Sequence, residues 1–269
     1  VKLVLVPTPV GHLEDITLRA LRILREAQVV ACEDTRRTGI LLSHFGISTP
    51  KLRLDQHTMA QARDKLAAYE YVAYATDAGT PGLSDPGAEL VKLAYELGWQ
   101  VEVLPGATAL IPALVLSGFP TARFTFEGFL PPRGSERRRR MEQMMQPGYT
   151  TALYEAPHRL RQTLADLAQV YGSDHPVAVV RELSKLHEEV FRGSLADALE
   201  HFAEPRGELV LVLAPRDPAD EQVSQVDWLA RAAQLRAQGL GGKTLVKALV
   251  EAGASRNQAY QLAHQGTEG

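Results

Sequence analysis

Cysteine is almost missing from this chain. Cys32 is the single one in 269 residues, so no intrachain disulfide can form. Its place in the apolar run Val29-Val30-Ala31-Cys32 predicts a buried core thiol. No cysteine/histidine spacing suited to zinc occurs, and the eight histidines are scattered, so no metal site is expected. Long apolar runs are missing too. Val1–Pro7 is short, ends at a proline and lacks the charged flank of a secretion signal. No stretch approaches the roughly twenty residues of a spanning helix, which leads to the expectation of a cytoplasmic protein without a membrane partner. There is no internal repeat and no low-complexity tract. The formal net charge of -3 weighs, as an average, against a nucleic-acid partner.

What is present is ordinary globular material, with 45% apolar and 23% charged residues. The length suits two compact domains plus an appendage. The first half alternates strands (Leu3–Val6, Val29–Cys32, Tyr71–Ala75, Val101–Leu104) with helices (Ile16–Ala27 capped by Asp15, Thr35–Phe45, Ala88–Leu97, Ala107–Leu116). This βα order predicts a mainly parallel sheet covered by helices. A link rich in glycine and proline near residues 117–123 opens a second half. Its strands are Phe124–Gly128, Thr151–Tyr154, Val177–Val180 and Leu209–Leu213, with helices at Arg159–Tyr171 and, capped by Ser194, Leu195–Phe202. After a polar break, Trp228–Gln238, Lys243–Ala252 and Arg256–Gln265 read as helices. The last two are joined by Gly253-Ala254-Ser255, with Ser255 as cap, and resemble a helix-turn-helix. The expected division is 1–118, 119–218 and 219–269.

Chemistry is expected at strand ends. Thr76–Gly87 carries three glycines and two prolines between a strand and a helix, where open α/β sheets bind ligands. Glycines let a ligand approach the backbone, and Asp77 is suited to hold an amine or hydroxyl. Pro7-Thr8-Pro9-Val10-Gly11 and Pro105-Gly106-Ala107-Thr108-Ala109 also follow strands, so three small-residue loops outline the floor of a cleft. Their pattern is neither Gly-x-Gly-x-x-Gly nor the P-loop, which removes the usual signatures of nicotinamide and nucleoside-triphosphate chemistry.

Taken in order, these segments resemble the tetrapyrrole methylase superfamily and, within it, the ribosomal RNA small subunit methyltransferase I family. The resemblance rests on Pro7–Gly11 with Asp15–Ala20, Glu33-Asp34-Thr35-Arg36, Asp77–Gly87, Pro105-Gly106 and Gly128-Phe129-Leu130-Pro131. It continues through Tyr154–Arg159, Arg181–Lys185 and Gly207-Glu208, spanning residues from about 3 to 214. It implies two α/β domains with S-adenosylmethionine in the cleft between them, a homodimer, and 2'-O-methylation of a cytidine in small-subunit (16S) ribosomal RNA. Carried over by position, the cofactor residues are Pro9, Asp77, Gly79, Gly82, Ser84, Thr108 and Ala109, faced by Tyr154, Glu155, Pro157, Leu183 and Gly207. The tetrapyrrole branch typically carries Gly-Asp-Pro where this chain has Gly79-Thr80-Pro81, a departure that favours the RNA branch.

Five arginines, Arg133 and Arg137 through Arg140, fall within eight residues. Arg133, Arg137 and Arg140 are spaced to share a side of a helix and, with Arg36 and Arg37, are candidates for RNA phosphates. A solvated face is the alternative reading of such a run, and the loop Gly128–Pro132 before it, expected beside the cleft, favours the RNA site. Lys243, Lys247 and Arg256 are candidates of the same kind in the tail, which reads equally well as a helical cap on the enzyme. Transfer to a ribose hydroxyl needs a base for its proton. Lys185, Glu33 and His57 are the candidates. A corrin or porphyrin precursor methyltransferase and a non-catalytic RNA-binding assembly factor stay open as alternatives.

Overall fold

The computed structural model describes residues 1–144, 148–216, 228–252 and 256–264. The chain divides into two compact units, Val1–Pro215 and Arg216–Gly269.

The first unit contains two five-stranded sheets. One is formed by β1 (Lys2–Val6), β2 (Val29–Cys32), β3 (Lys51–Arg53), β4 (Tyr71–Ala75) and β5 (Gln100–Val103), with α1 (Leu18–Glu26), α2 (Thr35–His44), α3 (Ala62–Leu66) and α4 (Gly87–Glu96) between them. Its order is β3-β2-β4-β1-β5, and every pair is parallel. Leu3 and Leu5 enter one core with Leu66 and Leu90, while Val4 and Val6 enter another with Ala20 and Leu24. Burial on both faces explains why β1 is a continuous apolar run without alternation. Thr17, rather than the expected Asp15, caps α1 by accepting from the Ala20 amide; Asp15 closes a short 3-10 turn.

The second sheet is formed by β6 (Phe124–Phe129), β7 (Thr150–Glu155), β8 (Pro176–Arg181), β9 (Glu189–Ser194) and β10 (Leu209–Leu213) in the order β6-β7-β10-β8-β9. Only β6 and β7 pair in parallel. Helices α6 (Gly134–Met144), α7 (Pro157–Tyr171) and α8 (Leu195–His201) bear on one face, through a core that includes Leu160, Leu164, Leu195 and Leu211. Ser194 caps α8 reciprocally with Asp197, as expected. The other face packs on α5 (Leu110–Ser117), whose Leu110, Ala113 and Leu114 meet Ala152, Val180 and Val212. The helix expected to complete the first half therefore belongs by packing to the second sheet.

In the second unit, α9 (Trp228–Ala237), α10 (Gly242–Glu251) and α11 (Arg256–His264) enclose a core of their own from Ala232, Leu235, Leu245, Leu249, Ala259 and Leu262. The expected Ser255 cap lies outside the described residues. Lys243 and Lys247 are exposed, and Lys247 pairs with Glu251 at 3.8 Å along α10. Among the described residues, no helix is long and apolar enough to cross a membrane.

Candidate active site

Strands β4, β1 and β5 are neighbours, so the loops at their carboxyl ends lie side by side. A two-way backbone bridge joins the first two: Thr8 N donates to Gly79 O and Gly79 N to Thr8 O, both at 2.9 Å. The Thr8 hydroxyl donates to Thr76 O at 3.2 Å, and the Thr80 hydroxyl to Ala107 O at 2.8 Å. The three loops are one tied surface, and much of it is backbone. Gly79 (φ +83°) and Gly82 (φ +96°) sit in the left-handed region that favours glycine. The Asp85 carboxylate accepts from the amides of Gly82 and Gly87 at 2.8 and 2.7 Å and so shapes the turn. Asp77 accepts from the Asp34 amide at 3.2 Å and faces Arg37 at 3.5 Å, linking the ends of β4 and β2.

This surface is one wall of a cavity of about 390 Å³. Tyr154, Glu155 and Pro157 from the β7–α7 junction form the opposite wall, together with Val180, Leu183, Gly207 and Val210. Every cofactor residue expected from the sequence lines the cavity except Pro9 and Gly82; Val10 lines it beside the former, and Gly82 serves the turn. Sequence reasoning missed Val10, Thr80, Asp85, Phe129, Val180 and Val210. Val180 and Val210 are direct partners across β8 and β10, and only that pairing shows that they share a face.

The loop after β1 closely approaches the loop after β8. A Cβ placed on Gly11 would lie 2.4 Å from the Leu183 carbonyl oxygen. Leu183 is presented by a loop whose flanking residues, Glu182 (φ 52°) and Ser184 (φ 60°), both hold left-handed backbone, a costly conformation for side-chain-bearing residues. A clip holds this loop in place. Lys185 Nζ donates to Glu182 Oε1 and Glu208 Oε2, both at 3.0 Å, and the Glu208 amide donates to Glu182 Oε1 at 2.8 Å.

The three candidate bases separate on these grounds. Burial alone would lower the Lys185 pKa, but hydrogen bonds to Glu182 and Glu208 outweigh it and leave the ammonium harder to deprotonate than usual. His57 is exposed and does not line the cavity. Glu33 lines it and is half-buried. Loss of solvent, then the charges of Asp77 and Asp85, push its carboxyl up to about 7. That is the range in which a group takes and returns protons at neutral pH.

The arginines also separate. Arg37 reaches the cavity. Arg36 is exposed and pairs with Asp34 at 2.8 Å, and its hydrogen bonds hold that carboxyl below the usual carboxylate range. Arg137 corrects the expected shared face. It is 5% exposed and donates to Asp166, Thr163 and the Pro131 carbonyl, which turns it inward. Arg133 is exposed at the start of α6, and Arg140 pairs with Glu127 at 2.6 Å. Buried Glu155 accepts from the Ala156 amide at 2.8 Å and from the Thr163 hydroxyl. Cys32 is buried and its thiol pKa raised, chiefly by desolvation. Among the described residues, no cluster suited to a metal occurs.

Residues 2–199 match the Tetrapyrrole (Corrin/Porphyrin) Methylases family. A relative from Synechocystis sp., the ribosomal RNA small subunit methyltransferase I of that organism, is 42% identical over 268 residues, covering 97% of this chain and 96% of its own. The chain belongs to the ribosomal RNA small subunit methyltransferase I family. The family's Thermotoga maritima member is 41% identical over 222 residues, covering 80% of this chain and 99% of its own. Among solved structures, uroporphyrin-III C-methyltransferase from Thermus thermophilus, complexed with S-adenyl homocysteine, shares the fold. Its TM-score is 0.58 at 23% identity, covering 80% of this chain and 97% of that one.

Proposed function

We propose that this chain transfers a methyl group from S-adenosylmethionine to the 2'-hydroxyl of a cytidine in small-subunit ribosomal RNA. The observation that carries the reading is the cavity between the loops at the ends of β4, β1 and β5 and the apolar wall of Val180, Leu183 and Val210, with the Glu33 carboxyl, pushed up to about 7, on its lining. The cavity fits the cofactor by size and by chemistry. Val180, Leu183 and Val210 offer an apolar wall to a flat base, and Ala78 and Gly79 bring the main chain close to the cavity. Asp77 supplies a carboxylate for an ammonium or a hydroxyl. When bound, the cofactor supplies an electrophilic methyl on a sulfonium.

The protein's own work is then positioning and proton removal. A ribose hydroxyl is a weak acid, so a base takes its proton as it attacks. Glu33 has the location and pKa for that task, whereas Lys185 is held protonated by its two carboxylates. Alignment of the hydroxyl with the methyl contributes much of the acceleration, since the donor is already activated. Arg37 at the cavity and exposed Arg36, Arg133 and Arg140 are the phosphate contacts of this reading. Exposed Lys243 and Lys247 are the candidates of the same kind in the second unit, while the Arg256 side chain lies outside the described residues. Exposed Ile111, Val115 and Leu116 on α5 give an apolar strip suited to a homodimer. A ribosomal substrate implies a cytoplasmic setting.

The test is mass-spectrometric mapping of ribose methylation on small-subunit RNA from cells lacking the protein. Loss of one 2'-O-methylcytidine, restored by the protein with S-adenosylmethionine, is the expected result. An unchanged map rejects the RNA reading, and activity on a tetrapyrrole instead would move the chain to the other branch.

A further inference from the structure

Strand β6 contains an irregularity that sets an aromatic ring at the cavity. Phe124, Thr125 and Phe126 pair in step with Thr150, Thr151 and Ala152 of β7, but the next partners are Phe129 and Tyr154. Three steps on β6 thus match two on β7. In a regular strand, residues 126 and 129 face opposite sides. The extra residue turns Phe129 to the side of Phe126, and both rings meet Tyr154, at centroid distances of 4.9 and 5.6 Å. Bulges next to active sites commonly re-aim a side chain in this way.

The bulge is keyed to the cofactor loop. Gly128 has φ +61°, and a Cβ there would lie 2.8 Å from Ser84 Oγ. Ser84 lines the cavity and is itself left-handed, at φ 66°. Two unusual backbone positions from different sheets therefore meet beside Phe129. The ring lines the cavity yet is 52% exposed, whereas Phe126 beside it is packed against the core. Arg37 lines the same cavity, and exposed Arg133 stands four residues beyond the ring.

We propose that Phe129 is a stacking platform for an unstacked nucleobase of the RNA substrate, a positioning role that rests on the RNA reading above. A ribose hydroxyl reaches a cofactor within a cleft only if its nucleotide leaves the helical stack, and splayed bases are held on aromatic faces. Such a face beside the cavity holds the base while the flanking guanidinium groups hold phosphate. Stacking tolerates any base, so Phe129 sets the position of the nucleotide and not its identity.

The experiment compares Phe129→Ala, Phe129→Leu and Phe129→Trp in the full chain. Initial rates of tritiated methyl transfer are measured with small-subunit RNA or subunits as the varied substrate, alongside calorimetry with S-adenosylmethionine and a melting curve. The Ala and Leu variants should lose roughly 5- to 150-fold in kcat/KM for RNA, the worth of one stacked base. Their cofactor affinity and melting temperature should be unchanged, and Trp should restore the rate. Wild-type rates in the Ala variant overturn the proposal. So does full rescue by Leu, which would reduce the ring to apolar bulk. A parallel loss of cofactor affinity also overturns it, assigning the ring to the cofactor. A wild-type protein that transfers no methyl to RNA overturns the RNA reading itself, and this inference with it.

Discussion

If Glu33 takes the ribose proton, the rate must follow its ionisation. With a pKa of about 7, roughly one-eleventh of the carboxyl is charged at pH 6 and roughly ten-elevenths at pH 8, so kcat should rise about tenfold between them. Glu33→Gln keeps the shape and removes the proton acceptor. It should lower kcat by about 10²- to 10⁴-fold and flatten that limb. Asp77→Asn, measured at saturating cofactor, removes the largest charge acting on Glu33 and should move the limb to lower pH. The same shift affects stability. The folded state holds the Glu33 proton more tightly than the unfolded chain, whose carboxyl titrates near 4.5. Stability therefore falls as pH rises from about 4.5 to about 7, by roughly 1–3 kcal/mol for a carboxyl still partly in contact with water. Glu33→Gln should accordingly melt higher than wild type at pH 8 and match it below pH 4.5. The assay is a single-turnover pH profile on RNA, with thermal melts alongside. An acid limb that persists near pH 7 in Glu33→Gln would refute the assignment.

Arg137→Ala leaves Asp166 and a carbonyl without their buried partner and should cost about 3–5 kcal/mol in chemical denaturation. Arg133→Ala should leave the melt unchanged and weaken RNA binding at low salt, read by filter retention. Gly11→Ala drives a Cβ against the Leu183 carbonyl and should lower cofactor affinity by calorimetry; unchanged affinity would separate that contact from the site. Lys185→Met should raise the KM for cofactor while the pH profile keeps its midpoint, with Lys185→Arg restoring affinity. Loss of the pH limb in Lys185→Met would instead make Lys185 the base.

The loop wall of the cavity was legible where chemistry is written in local composition. Loops as poor in side chains as Thr76–Gly87 and Pro105–Ala109 have few uses at strand ends, and the adjacency of β4, β1 and β5 brought them together. Two of the edge strands, β3 and β9, were not legible. Lys51–Arg53 is short and charged, and Glu189–Ser194 alternates weakly, as edge strands do. Helical spacing placed Arg137 with Arg133 and Arg140, but spacing alone does not say which side of α6 meets α7, and Asp166 and Thr163 drew Arg137 inward. Glu33 and Lys185 could not be ranked from sequence because their pKa values depend on neighbours distant in the chain: Asp77 and Asp85 for Glu33, and Glu208 for Lys185.

The meeting of Gly11 with the Leu183 carbonyl also bears on re-engineering of the site. On the loop side Ala78 and Gly79 bring main chain to the cavity, so those positions have little or no side chain to trim. Room for sulfonium donors enlarged on the base has to come from the opposite wall, where Val180, Leu183 and Val210 still have carbon to remove. Shortening those side chains is the route by which this scaffold would accept a bulkier donor.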